Sequence, residues 1–305
     1  MAKRAASERT RGKRVMDTAS PVKRRWRRVA AHALTVTLTA SAAMLVAACV
    51  HVPAINQAFD VDNADIREDL RRMSDEPVSL QRPVIVLAGY RGTSRSTAAR
   101  LEEVLTDDGG MVLNLSYFWA SDIPPIGARV VDFVEEHFPS DDPAFTTEGD
   151  VVAISMGGLV ARTAAMPPEL RGETPDAKRL RIRTLYTLAT PHDGAKLAEH
   201  IHPDAAAKQM IPGSDYIALL DEQFIAMQAT DEAQARYDVV PYAVLRDTWV
   251  GASNTAPPGQ EPIWVPGRMM FSHHLVGQDT RILADVARRI RGEEPIGRPS
   301  TPPSD

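Results

Sequence analysis

The chain has one cysteine, Cys49, in 305 residues. That excludes an intramolecular disulfide framework and any metal cluster built from cysteines alone. It has no H-E-x-x-H, no Walker phosphate loop and no G-x-G-x-x-G, so the usual signatures of a metalloprotease, a P-loop nucleotide hydrolase and a dinucleotide-binding unit are missing. Its eight histidines compose no metal-ligand pattern. His200 and His202 are two apart and would face away from each other on a helix, and His137 sits on a helix edge. No segment repeats. Apolar residues are not scarce: at 44% hydrophobic the chain can bury a core, which rules out a wholly disordered protein. The length suits one large domain or two small ones.

Excess charge also looks absent, since the net is −5, but this average hides a split. Residues 1–28 hold 11 of the 35 Lys and Arg and 2 of the 40 Asp and Glu, a balance of +9, which leaves the rest at −14. Val29–Ala48 follows as 20 uncharged residues rich in Ala, Leu and Val. A basic segment before an apolar one is the pattern of an export signal, and the basic flank keeps that end in the cytoplasm. The stretch ends in Val46-Ala47-Ala48-Cys49, which resembles the lipobox of bacterial lipoproteins. The resemblance implies cleavage before Cys49, lipidation of its sulfur and attachment to the cell envelope. Val50, rather than Asp, implies the outer membrane where two membranes exist. An uncleaved anchor, since 20 residues just span a bilayer, and ordinary cleavage remain open, as does initiation at Met16. An acidic mature chain argues against nonspecific nucleic-acid binding.

The organisation expected is a signal segment 1–48, a linker and short extension 49–81, a main domain 82–291 and a disordered tail 292–305 read from its Pro, Ser and acidic residues. Asp65–Met73 reads as a short helix. Val84–Leu87 is a continuous apolar run and reads, like 150–154, as a buried strand; 111–115, 182–188, 239–245 and 268–271 read as further strands. Helical spacing falls at 96–105, 126–138, 157–165 and 282–290. Strands alternating with helices predict an α/β fold, a mostly parallel sheet covered on both faces. The exception is His192–Asp238, a helical insert read as a cap. Asp221 and Asp231 within it read as solvated helix faces.

The most informative segment is Asp150–Val160. Its strand runs into Ala153-Ile154-Ser155-Met156-Gly157 and then a helix, and this resembles the G-x-S-x-G nucleophile elbow of the α/β-hydrolases. A serine on a sharp strand-to-helix turn projects its Oγ clear of the sheet. The turn brings backbones together, so small residues flank it. Ala153 replaces the first glycine, as in one group of bacterial lipases. Four more segments resemble the same family in the same order. Val84–Leu87 leads into Ala88-Gly89-Tyr90, where the family forms an oxyanion hole; the match implies the backbone N–H groups of Tyr90 and Met156 as donors. Pro241–Val250 resembles the strand and D-x-x-V turn that carry the acid, implying Asp247, whereas Asp238 lies at the wrong end of that strand. Ser272-His273, six residues before Asp279, implies His273 as the base, with its neighbour His274 as the alternative. Thr190-Pro191-His192-Asp193-Gly194 resembles the T-P-H-x-G turn of lipases and deacylases, and His192 is expected to order that turn.

Together these matches span Val84 to Ile290. They imply a lipase-like hydrolase of carboxylic esters with a Ser155, Asp247 and His273 triad, needing no cofactor and acting on an ester or lipid substrate. Phe118 and Trp119, with the insert, are expected to shape an acyl pocket. An acyltransferase that uses the same acyl-enzyme is the alternative, and a noncatalytic envelope lipoprotein of the same fold is a third reading.

Overall fold

Every residue of Val84–Leu87 (β1) is buried, as a strand covered on both faces requires. Its side chains alternate. Val84 and Val86 join one apolar cluster, and Ile85 and Leu87 join another. Val112–Leu115 (β2), Gly149–Ile154 (β3), Ile182–Leu188 (β4), Asp238–Val244 (β5) and Ile263–Val265 (β6) complete a six-stranded sheet. The order is β2-β1-β3-β4-β5-β6, and every pairing is parallel. In such a sheet ligands bind at the carboxyl ends of the strands.

This computed structural model describes residues 56–267 and 272–303. The expected signal segment, Cys49 and the expected strand at 268–271 lie outside the described residues. β6 has no counterpart among the expected strands, because its three residues are too few to show a period.

Helices cover both faces. On one side lie Asn63–Asp75 (α1), Arg95–Leu105 (α2) and, further along the chain, Thr280–Arg291 (α8). Ile66, Met73, Leu101, Leu105, Ile282 and Val286 enter the cluster with Val84 and Val86. Ile123–His137 (α3) and Met156–Ala165 (α4) cover the other side, with Ala205–Gln209 (α5) and Asp215–Ala229 (α6) from the insert. Ser272–Leu275 (α7) is a single turn. The whole of α4 is buried, because it lies over the middle of the sheet. Pro212 and Gly213 break the insert into two helices, and Ser214 Oγ caps α6 by accepting from the Ile217 N–H.

Residues 292–303 correct the expectation of a disordered tail. Buried Asp285 of α8 accepts from the Ile296 and Gly297 N–H groups, at 2.8 and 2.7 Å, and from Tyr242 Oη and Arg289 Nε. Gly297 then bridges Phe59, and the Arg298 N–H donates to Ala58 at 2.8 Å. Proline and serine mark the segment as irregular, but its order comes from partners far away in sequence.

Candidate active site

Ser155 stands at the end of β3 with φ 52° and ψ −126°, a backbone conformation that disfavours a side chain. Among the described residues three other non-glycine residues share positive φ: Arg91 after β1, Ala189 after β4 and Arg246 after β5. All four lie just beyond the carboxyl ends of strands. Such residues cost about 1–3 kcal/mol each and collect where a surrounding structure fixes a functional geometry. The small neighbours of Ser155 are explained by contact. A Cβ on Gly157 would lie 2.7 Å from the Ala88 carbonyl oxygen, and one on Gly89 would lie 3.1 Å from Ser155 Cβ. Thr190 braces the turn from β4, since its Oγ1 donates to the Ser155 carbonyl at 2.8 Å.

Asp247 and His273 come to Ser155 from other elements. Asp247 follows β5 in a turn that its own side chain closes: Oδ1 accepts from the Trp249 and Val250 N–H groups at 2.9 and 3.1 Å. Its other oxygen, Oδ2, is 2.7 Å from His273 Nδ1, and His273 Nε2 is 2.8 Å from Ser155 Oγ. A carboxylate can only accept, so Nδ1 carries the proton and Nε2 is left to accept from the serine hydroxyl. The Trp249 indole stacks on the His273 ring at 5.4 Å between centroids and 21° between planes. His274 meets the edge of Trp249 at 4.4 Å and is exposed. Of the two adjacent histidines, His273 is the one bonded to both Ser155 and Asp247.

Gly89 and Tyr90 line one side of a cavity of about 600 Å³ that opens on Ser155 and His273. Met156 is the first residue of α4, where an N–H has no acceptor within the helix. Tyr90 Oη donates to Asp204 Oδ2 at 2.6 Å, and Arg91 Nη2 reaches the same oxygen at 3.0 Å. Burial and this carboxylate push the Tyr90 hydroxyl up to about 12. Burial works to raise Asp204, but its hydrogen bonds from Tyr90, the Ala207 N–H and Arg91 win and hold it below the ordinary carboxylate value.

His192 is buried away from this chain of bonds. Nδ1 is 3.0 Å from Arg162 Nη1, and Nε2 is 3.1 Å from Thr187 Oγ1. Burial, and then the Arg162 charge, hold its pKa well below the ordinary value, so the ring is neutral. It orders the turn after β4, as expected. Two further expectations are corrected. Phe118 and Trp119 stack edge to face at 4.9 Å, but they are 52% and 91% exposed and do not line the cavity. The insert divides: residues 195–210 line the cavity, while α6 buttresses α4 through Arg162 Nη2, which donates to the Leu220 carbonyl and to Asp221. Asp221 is therefore a partner of a buried arginine rather than a solvated face.

Asp204 and Arg162 carry no functional signal in the sequence. Asp204 precedes a run of alanines and reads only as a helix cap, which it also is, accepting from the Ala207 N–H at 2.9 Å.

An all-parallel sheet, a strained serine between β3 and α4, and an acid and a histidine delivered after later strands together define an α/β-hydrolase fold. No family model matches the chain, and no curated protein matches its sequence. Solved structures do resemble it. The Bacillus licheniformis lipase BlEst2 in mature form is 14% identical over 68% of this chain and 91% of its own, with a TM-score of 0.46. Phospholipase PlaB from Legionella pneumophila is 15% identical over 69% of this chain and 60% of its own, with a TM-score of 0.44. The thioesterase RedJ, from the prodiginine biosynthetic pathway in Streptomyces coelicolor, is 18% identical over 69% of this chain and 92% of its own, with a TM-score of 0.35. A likeness at such identities and TM-scores does not specify a reaction or a substrate.

Proposed function

We propose that the protein is a serine hydrolase of carboxylic esters. The observation that carries this reading is the continuous chain Asp247–His273–Ser155, with bonds of 2.7 and 2.8 Å, at the mouth of a largely apolar cavity. Ser155 Oγ attacks the ester carbonyl carbon while His273 Nε2 takes its proton. The backbone N–H groups of Tyr90 and Met156 receive the negative charge that develops on the carbonyl oxygen. The bond to the alcohol oxygen then breaks, and His273 returns the proton to it as the alcohol leaves. Water, deprotonated by the same ring, attacks the acyl-enzyme; the acid departs and Ser155 regains its proton. Asp247 holds the ring in the tautomer that both halves need.

We further propose that the chain is exported and held at the cell envelope through a lipidated Cys49, from the +9 segment, the apolar stretch and the Val46–Cys49 motif. Among the described residues no helix is long and apolar enough to cross a membrane.

Turnover of p-nitrophenyl esters of graded chain length, with Ser155→Ala beside the parent, tests the enzyme. Turnover by the parent and its loss in the variant are expected. No turnover of any ester, together with no labelling by a fluorophosphonate, would overturn the reading. For the anchor, Cys49→Ser is expected to abolish lipidation and release from the membrane fraction is expected to follow. A variant that remains processed and membrane-bound would refute it.

A further inference from the structure

The cavity beside Ser155 has two chemically different walls, each a connected piece of structure. One wall comes from the loop after β1, the start of α2 and the 274–278 segment. Arg91, Thr93, Ser96, His274 and Gln278 face the cavity from it. The two segments are joined: Thr97 Oγ1 donates to the Gly277 carbonyl at 3.0 Å, and Arg100 Nη1 donates to the Gln278 carbonyl at 3.2 Å. The other wall comes from the insert and the turn after Asp247. It presents Leu197, Ala198, Ile201, Ala207, Met210 and Trp249. The Leu197 N–H donates to the Trp249 carbonyl at 2.9 Å, and the Ala195 N–H to the Met210 carbonyl at 2.7 Å, so this wall is also one body.

The walls meet at two clasps. At one, Tyr90 and Arg91 share Asp204 Oδ2. At the other, His274 meets Trp249. Ser155 lies between the walls, which is where the carbonyl of a bound ester must sit. An ester in that position sends its acyl chain along one wall and its alcohol along the other. Only the insert wall has the continuous apolar surface that an acyl chain needs. On the opposite wall the Ser96 hydroxyl and the Gln278 side-chain amide form no hydrogen bond with another described residue, so both can bond to a ligand. Among the described residues no carboxylate lines the cavity, and the Arg91 guanidinium that does line it is already ion-paired with Asp204 at 3.0 Å. A charged alcohol would therefore find no free counter-charge among these residues.

We infer that the substrate is an ester joining an apolar acyl chain to a hydroxyl-rich, uncharged alcohol, with the alcohol held on the Ser96–Gln278 wall. Ser96 and Gln278 are then residues that set specificity. This rests on the hydrolase reading of Ser155. It is distinct from that reading, because a hydrolase with an apolar or unselective alcohol side would satisfy the reading and contradict the inference.

The experiment compares three hexanoate esters that share one acyl group: glycerol 1-hexanoate, butyl hexanoate and hexanoylcholine. The full chain is assayed by titrating the released acid. The kcat/KM for the glycerol ester is expected to exceed that for each of the others at least tenfold. In the double variant Ser96→Ala, Gln278→Leu, the ratio of glycerol ester to butyl ester is expected to fall at least fivefold. Both side chains are exposed, so the variant should fold, and thermal unfolding checks this. Turnover with equal rates on the glycerol and butyl esters, or a ratio that the double variant leaves unchanged, overturns the inference alone. No turnover of any ester by the parent overturns the hydrolase reading and the inference with it.

Discussion

Tyr90 and Asp204 are 114 residues apart and share a 2.6 Å hydrogen bond from the tyrosine hydroxyl to Oδ2. The bond ties the loop after β1, whose backbone lies against Ser155, to the first helix of the insert, which Asp204 caps. Arg91, at φ 50°, is drawn to the same oxygen. The loop that would supply an oxyanion donor is thus held by a segment that also forms the apolar wall of the cavity.

Removing that tie should loosen the Tyr90 N–H without removing it. Loss of a whole oxyanion donor costs about 10²–10³ in rate, so Tyr90→Phe and Asp204→Ala are expected to lower kcat by roughly tenfold. KM should move much less, because the interaction acts on the transition state. Steady-state kinetics on a soluble ester read the split; a change in KM alone would make the tie a substrate contact instead. Asp204 is held below its ordinary 3.8, so its contribution to stability is complete above that value and is lost as pH falls through the lower folded-state value. Tyr90 stays protonated up to about 12, so the bond should persist across the neutral range.

The adjacent histidines should separate cleanly. His273→Ala is expected to lower kcat/KM by roughly 10³ or more, and Asp247→Asn by about 10³–10⁴, since the amide no longer holds the productive tautomer. His274→Ala removes an exposed edge contact to Trp249 and should cost less than about tenfold. Rates of fluorophosphonate labelling on the three variants provide the check. Greater loss at His274 than at His273 would move the base by one residue.

His192 predicts a pH-dependent stability that has nothing to do with catalysis. The folded state keeps this ring neutral, whereas the unfolded chain protonates it near its ordinary 6.5. Below that value the unfolded state binds the extra proton, so this contribution is complete above about pH 6.5 and declines as pH falls toward the depressed folded value. The slope for one such group is at most about 1.4 kcal/mol per pH unit. Urea unfolding at pH 7.5, 6.5 and 5.5 should show the decline in the parent. It should be shallower in His192→Asn, which cannot take up the proton.

Asp285→Ala should release the C-terminal segment. The carboxylate is fully buried and receives two backbone N–H groups, a tyrosine hydroxyl and an arginine. Removing one partner of such a group typically costs about 3–5 kcal/mol. Limited proteolysis is expected to cut near residues 293–300 in the variant and not in the parent. A parent cut there as fast as the variant would mean that the anchoring is not made in solution.

Much of the fold was legible in sequence because burial on both faces writes itself as continuous apolar runs. Val84–Leu87 and Val151–Ile154 could hardly be anything but central strands. β6, three residues long, leaves too short a run to recognise. The candidate site was legible where a local turn demands particular residues. The elbow needs small neighbours around Ser155, and the turn after β5 needs a side chain that accepts N–H groups two and three residues on. That His192 belongs to a turn followed from its place in Thr190–Gly194, but its neutrality comes from burial and Arg162.

The sequence by itself determined the alternating strands and helices, the split between a basic first 28 residues and an acidic remainder, and a short ordered set of chemical candidates. Each of these depends on neighbouring residues or on plain composition. Tertiary structure alone decided which of two adjacent histidines meets Ser155 and Asp247, because a one-residue step on a helical turn redirects a side chain by about 100°. It decided that Phe118 and Trp119 stand clear of the cavity, that the insert is half wall and half buttress, and that the tail is pinned by Asp285. All of these turn on contacts between residues far apart in the chain, and a linear pattern carries no record of what a side chain will find across the fold.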